Sequence, residues 1–232
     1  MRKNNLMGIL MILALISCQD QSKEKQVVPG TTEDSLVTEK VDTVLSGEAI
    51  RYFEDNGFST FAKSKNPKFN WNSFHLVNVW KEDTLYTTPF QANADYFQSY
   101  GPFIKYSSDS TMFIDLDSYN VKITKLGDGT YLGEELGPDT EVSLIDLQDK
   151  LKKRLIFLGP GGDIQDGGWL DSQTIVLAGM QAGSDGTTTV PVIFKYHIPT
   201  RTFFLYETQD TLNATAIMHA WRDQRLKNVA IR

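Results

Sequence analysis

SLIDLQDKLKKRLIFL (residues 143–158) is the stretch on which the fold reading turns. Apolar residues on either side of a charged turn at Gln148-Asp149-Lys150 read as two strands, Glu141 to Leu147 and Arg154 to Leu158. IFKYHIPTRTFFLY (193–206) repeats the pattern, with Val190 to Ile198 and Thr202 to Glu207 around Pro199-Thr200-Arg201. FIDLDSYNVKI (113–123) has the same outline and reads as a third hairpin. Thr174 to Gly179 is a short buried run. His75 to Trp80 and Thr84 to Thr87 flank Glu82-Asp83 and read as a further hairpin. Short strands with regular turn signals predict an antiparallel, mainly β domain.

Two helices are predicted beside these strands. Ser46 suits an N-cap, Glu48 suits a first turn, and Ile50, Phe53 and Phe61 share a stripe, so a helix is expected from Ser46 to about Ala62. Asn66-Pro67 ends it, and Gly57 interrupts it. Thr88-Pro89 predicts a second helix from Pro89 to Tyr100, with Phe90, Ala94 and Phe97 on one face. The hairpin 143–158 and the run GWLDSQTIVLAG (168–179) resemble blade sequences of β-propellers. A closed propeller needs at least four four-stranded blades, which the length barely allows. The expected fold is therefore mainly β: an antiparallel sandwich or propeller-like meander with one or two peripheral helices.

The N-terminus is of another kind. Arg2 and Lys3 precede an apolar run from Leu6 to Ile16, too short for the ~20 residues of a membrane span and suited to a signal peptide. It leads directly into Leu15-Ile16-Ser17-Cys18, which resembles the lipobox of bacterial lipoproteins cut by signal peptidase II. That resemblance implies a diacylated Cys18 as the first mature residue. Gln19, where Asp would imply inner-membrane retention in enteric-type sorting, leans the expectation towards the outer membrane. Residues 19–44 are polar, charged and poor in aromatics, and read as a disordered tether of ~28 Å root-mean-square span. The expected organisation is a signal peptide over 1–17, lipidated cysteine and tether over 18–44, and one domain over 45–232.

The chain has 23 basic and 29 acidic residues, a net charge of −6. Residues 1–17 hold two bases and no acid, which leaves about −8 on the mature chain and argues against nucleic acid and anionic head groups as ligands. Cys18 is the only cysteine, so once it is lipidated neither a disulfide nor a cysteine nucleophile is expected. No cofactor motif is found.

Candidate site residues are few. Gly159-Pro160-Gly161-Gly162-Asp163-Ile164-Gln165-Asp166-Gly167-Gly168, before Trp169, is rich in glycine and carries two acids. It reads either as a wide turn or as a ligand loop through Asp163, Asp166 and Trp169. It lacks EF-hand spacing and the Lys-Ser/Thr of a P-loop. Asp115 and Asp117 alternate with Met112, Ile114 and Leu116, so they share a face with Phe113. Such a face suits a polar-ligand patch or an acid/base pair, and equally a solvated surface or one covered by a helix. Glu134-Glu135 reads the same way, in a loop. His75, His197 and His219 sit in separate predicted strands without metal spacing, and no GxSxG is present. The aromatics from Trp71 to Tyr119 are read mostly as core. Asp34-Ser35-Leu36, Asp42-Thr43-Val44, Asp83-Thr84-Leu85, Asp109-Ser110-Thr111 and Asp210-Thr211-Leu212 are similar to periplasmic O-glycosylation sites. The expectation is a cell-envelope lipoprotein that meets the membrane through its lipid. Its domain is expected to be a non-catalytic binding or accessory module for an envelope protein or glycan. The alternatives are a hydrolase of polysaccharide and a structural envelope component.

Overall fold

A computed structural model describes residues 42–91, 93–183, 188–208, 212–213 and 220–232. Cys18, most of the tether and His219 lie outside the described residues. In chain order the elements are α1 (Gly47–Asp55), α2 (Phe58–Lys65), a 3-10 turn (Trp71–Ser73), β1 (His75–Lys81), β2 (Thr87–Pro89) and α3 (Ala94–Tyr100). Strands β3 (Lys105–Tyr106), β4 (Met112–Asp115), β5 (Val121–Lys125), β6 (Tyr131–Glu135), β7 (Thr140–Asp146) and β8 (Leu151–Leu158) follow. The chain continues through β9 (Asp163–Trp169), β10 (Thr174–Ala182), β11 (Thr188–His197), β12 (Thr202–Glu207), β13 (Leu212–Asn213), α4 (Ala220–Arg225) and β14 (Val229–Ile231).

The fold is mainly β, as the strand pattern implies. One sheet runs β1-β12-β11-β10-β9 with β13 on β11, and a second runs β2-β8-β7-β4-β3. The two face each other as a sandwich. Ile114, Val142, Leu144 and Ile156 of the second sheet, with Leu116 just beyond β4, meet Ile164, Leu177, Val192, Phe194 and Phe203 of the first. Full burial of each such side chain contributes ~1.5–3 kcal/mol. The other face of the first sheet is buried too: Val176, Ala178, Ile193 and Tyr206 pack under Phe53, Phe58, Trp71 and Trp221. This explains why Thr174–Gly179 reads as one apolar run rather than an alternation. A small third sheet, β14-β6-β5, contains the parallel pair β14–β6.

Two hairpins are those expected, β7–β8 and β11–β12; a third, β9–β10, forms where the sequence reading placed a glycine-rich loop and a short buried run. Lys150 and Arg201 take the left-handed conformation in two of the turns, with φ of 56° and 53°. Two others are corrected. β4 pairs with β7 and β5 with β6, so 113–123 crosses between sheets. β1 pairs with β12 and β2 with β8, so 75–87 also crosses. In both, the apolar pattern marks strands but does not name their partners.

The helices differ in their limits. The predicted 46–62 helix is two helices, because Gly57 turns left-handed (φ 87°) and Asn56 Oδ1 accepts from Phe58 N at 2.9 Å. Ser46 does cap the first. Pro89 does not start a helix. It ends β2, an edge strand where its missing N–H costs nothing, and α3 starts at Ala94 under an Asn93 cap. Glu134 and Glu135 lie in β6, not in a loop. Order begins before residue 45: Val44 bridges His75, and Tyr206 donates to the Asp42 carbonyl.

Candidate functional site

The glycine-rich stretch is mostly strand. Only Gly159–Gly162 form a turn, and Asp163–Trp169 are β9, with Asp163 and Asp166 buried. Asp166 accepts from Asn56 Nδ2 at 2.5 Å and from the Gly167 N–H at 2.9 Å. Burial pushes its carboxyl up, against the pull of Arg225 and Lys105. Next to it, the Tyr52 hydroxyl donates to the Gly167 carbonyl at 2.6 Å, and burial raises that phenol well above its usual value. Trp169 reaches across to the second sheet and donates to the Lys105 carbonyl at 2.8 Å.

Phe113 is fully buried beneath Phe90, Tyr96, Phe97 and Tyr106, so a helix covers the face it shares with Asp115. Asp115 ends β4. It accepts from the Tyr96 hydroxyl at 2.8 Å, from the Ser118 hydroxyl, and from the Asp117 and Ser118 amides. Asp117 lies beyond the strand and takes both terminal nitrogens of Arg225 at 2.7 Å. The fold therefore pairs Asp117 with the nearly enclosed Arg225 guanidinium, places Asp166 within its electrostatic reach, and sets Asp115 apart under α3. Asp163 sits elsewhere, opposite Met180. Arg225, Tyr52 and Asn56 carried no local signal, because nothing in WRDQR marks which arginine is buried. Trp221 Nε1 is also buried, on the Asp166 side, where it favours the charged carboxylate.

A different site lies on the outer face of the second sheet, beside α3. Glu141 of β7 is only 4% exposed, yet it receives Lys152 Nζ at 2.9 Å, Arg154 Nε at 2.7 Å and the Ser143 hydroxyl at 2.9 Å. A register shift at Val142/Ser143 puts Arg154 and Phe157 on the same outward side of β8. The Arg154 guanidinium lies over the rings of both Tyr86 and Phe157, 4.8 and 4.7 Å from their centroids. Tyr119 meets Phe157 edge-on at 5.9 Å. The Arg154 N–H holds the Tyr86 carbonyl at 2.9 Å and so ties the incoming segment to β8. Tyr86 is 63% exposed, Phe157 44% and Tyr119 37%. Tyr86, Thr88, Tyr119, Glu141, Lys152 and Arg154 enclose a hollow of about 180 Å³. The sequence carried a faint sign of it: three consecutive cations, Lys152-Lys153-Arg154, inside an apolar strand.

Between the sheets are two further openings. One of about 370 Å³ lies between Leu144, Asp146 and Lys153 on one side and Tyr196, Ile198 and Arg201 on the other. One of about 320 Å³ lies between Ile156 and Leu158 and the facing Trp80, Phe194 and Leu205. Among the described residues no cluster of three His, Cys, Asp or Glu has metal-binding geometry, and no helix is long and apolar enough to cross a membrane. Compared with known proteins, the chain matches no family, no curated sequence and no solved structure.

Proposed function

We propose that this chain is an envelope lipoprotein, anchored by lipid on Cys18, whose domain is a non-catalytic module that binds an envelope glycan. The reading rests above all on Tyr86, Tyr119 and Phe157, three exposed aromatics gathered around one pinned guanidinium. Aromatic faces take the apolar side of a sugar ring, while nearby donors take its hydroxyls. Most other aromatics of the chain are turned inward, so this exposure is local. The lipobox supports the anchor, two acyl chains suffice for stable attachment, and Gln19 favours the outer membrane. A second reading, docking to an envelope protein, draws on β1. Among the described residues its outer edge is paired only at the Val44–His75 bridge, and Val77 and Val79 are exposed along it. Such an edge accepts an added strand.

The test is a glycan array probed with the full chain in detergent, together with Tyr86→Ala and Tyr119→Ala. Glycan binding that both variants weaken is expected. If no glycan binds and a stoichiometric protein is recovered from native membranes instead, the glycan reading fails and the β1 reading takes its place.

A further inference from the structure

We propose that the hollow beside Arg154 recognises a carboxylate, borne by a uronic-acid residue of the glycan, and this inference rests on the glycan-binding reading above. Three observations lead to it.

Lys152 and Arg154 face one carboxylate, that of Glu141, so the pocket carries one positive charge in excess. This excess stands out on a chain whose net charge is −6.

Arg154 commits only Nε to Glu141. Its two terminal nitrogens donate to no group among the described residues. A guanidinium presents paired N–H groups that match a planar carboxylate in a bidentate geometry. Here the Tyr86 and Phe157 rings both pack against the guanidinium and Glu141 holds Nε, so little side-chain freedom remains to be lost on binding. Lys152 stands on the other side of Glu141 as a second donor.

The remaining walls suit a sugar. Tyr86 and Tyr119 bring aromatic surface and hydroxyls, and Thr88 brings a further hydroxyl. The hollow, about 180 Å³, is well below the ~300–1,000 Å³ of a drug-sized site and holds one ring rather than a long segment. A carboxylate on that ring meets the fork of Arg154, and the ring itself lies against Tyr119.

The experiment is calorimetric titration of the full chain, in detergent, with uronate-containing oligosaccharides. Each is paired with its carboxyl-reduced, neutral counterpart. The expected result is at least one pair whose acidic member binds about tenfold or more tighter than its neutral partner. Arg154→Met should remove that preference, while Arg154→Lys retains part of it. Urea midpoints of the variants check that they fold, and the paired ligands test the proposal on the unaltered chain in any case. Equal binding of acidic and neutral members overturns the carboxylate inference and leaves glycan binding standing. An acidic preference that folded Arg154→Met keeps intact overturns this pocket as its origin. Silence from every acidic and neutral glycan overturns both readings.

Discussion

Arg225 and Glu141 show how a buried charge is held in this chain. Arg225 is nearly enclosed and gives both terminal nitrogens to Asp117. Removing one partner of such a pair leaves the other charged and unsolvated, a cost of about 3–5 kcal/mol. Arg225→Met is therefore expected to lower stability by that amount, read as a fall in the urea midpoint; an unchanged midpoint would mean that water reaches Asp117. Glu141 gives a pH dependence. Burial alone pushes its carboxyl up, but Lys152, Ser143 and Arg154 outweigh burial and hold it below the usual range. A carboxyl depressed in the folded state contributes stability that is present above its unfolded value, ~4.3, and lost as pH falls through the folded one. Asp146 acts in the same direction, whereas Asp166, which is raised, contributes stability present below its unfolded value and lost as pH rises through the folded one. Glu141→Gln should flatten the loss of stability below about pH 4, measured by urea midpoints across the acid range. An unaltered acid limb would show that these donors do not favour the charged form. The sequence singled out Asp115 and Asp117 by their spacing and Asp166 by its glycine-rich stretch. It gave no sign of Arg225, because a long-range partner leaves no local pattern.

Helices and strands follow local rules until two sheets compete for a segment. Ser46 and Asn93 cap α1 and α3 as their side chains allow. Gly57 at φ 87° divides α1 from α2, and a Cβ there would stand 3.7 Å from Trp221, an ordinary contact. The cost of Gly57→Ala is thus conformational, expected at about 1–2 kcal/mol in a thermal melt. A variant as stable as the parent would mean that the helix continues through this position. At Gly168 the limit is space: a Cβ would collide with the Tyr52 hydroxyl, which donates to the neighbouring carbonyl. Gly168→Ala is expected to detach α1 from β9 and to destabilise more than Gly57→Ala in the same melt; the reverse order would count against that packing. The β7–β8 and β11–β12 hairpins were legible because their strands are joined by short turns. The segments 75–87 and 113–123 look the same locally but cross between sheets, since an apolar strand fits either layer.

For the molecule as a whole, the proposed anchor and the folded domain are separable. Cys18→Ser is expected to leave the protein unlipidated and to shift it from the membrane to the soluble fraction, while the urea midpoint of the domain stays unchanged. Membrane retention with unaltered processing would remove the lipoprotein reading. Alternating apolar residues and turn chemistry were enough to imply a mainly β fold with flanking helices, because period and turn type are local properties. The same residues could not say that the sheets stack as a sandwich. Nor could they say that α3 covers Phe113 and Asp115, or that Tyr86, Tyr119 and Phe157 stay outside while most aromatics turn inward. Those outcomes depend on which faces meet once strands far apart in the chain have paired. The hollow at Arg154 gathers residues from 86 to 157, and only the packed sheet brings them to one surface.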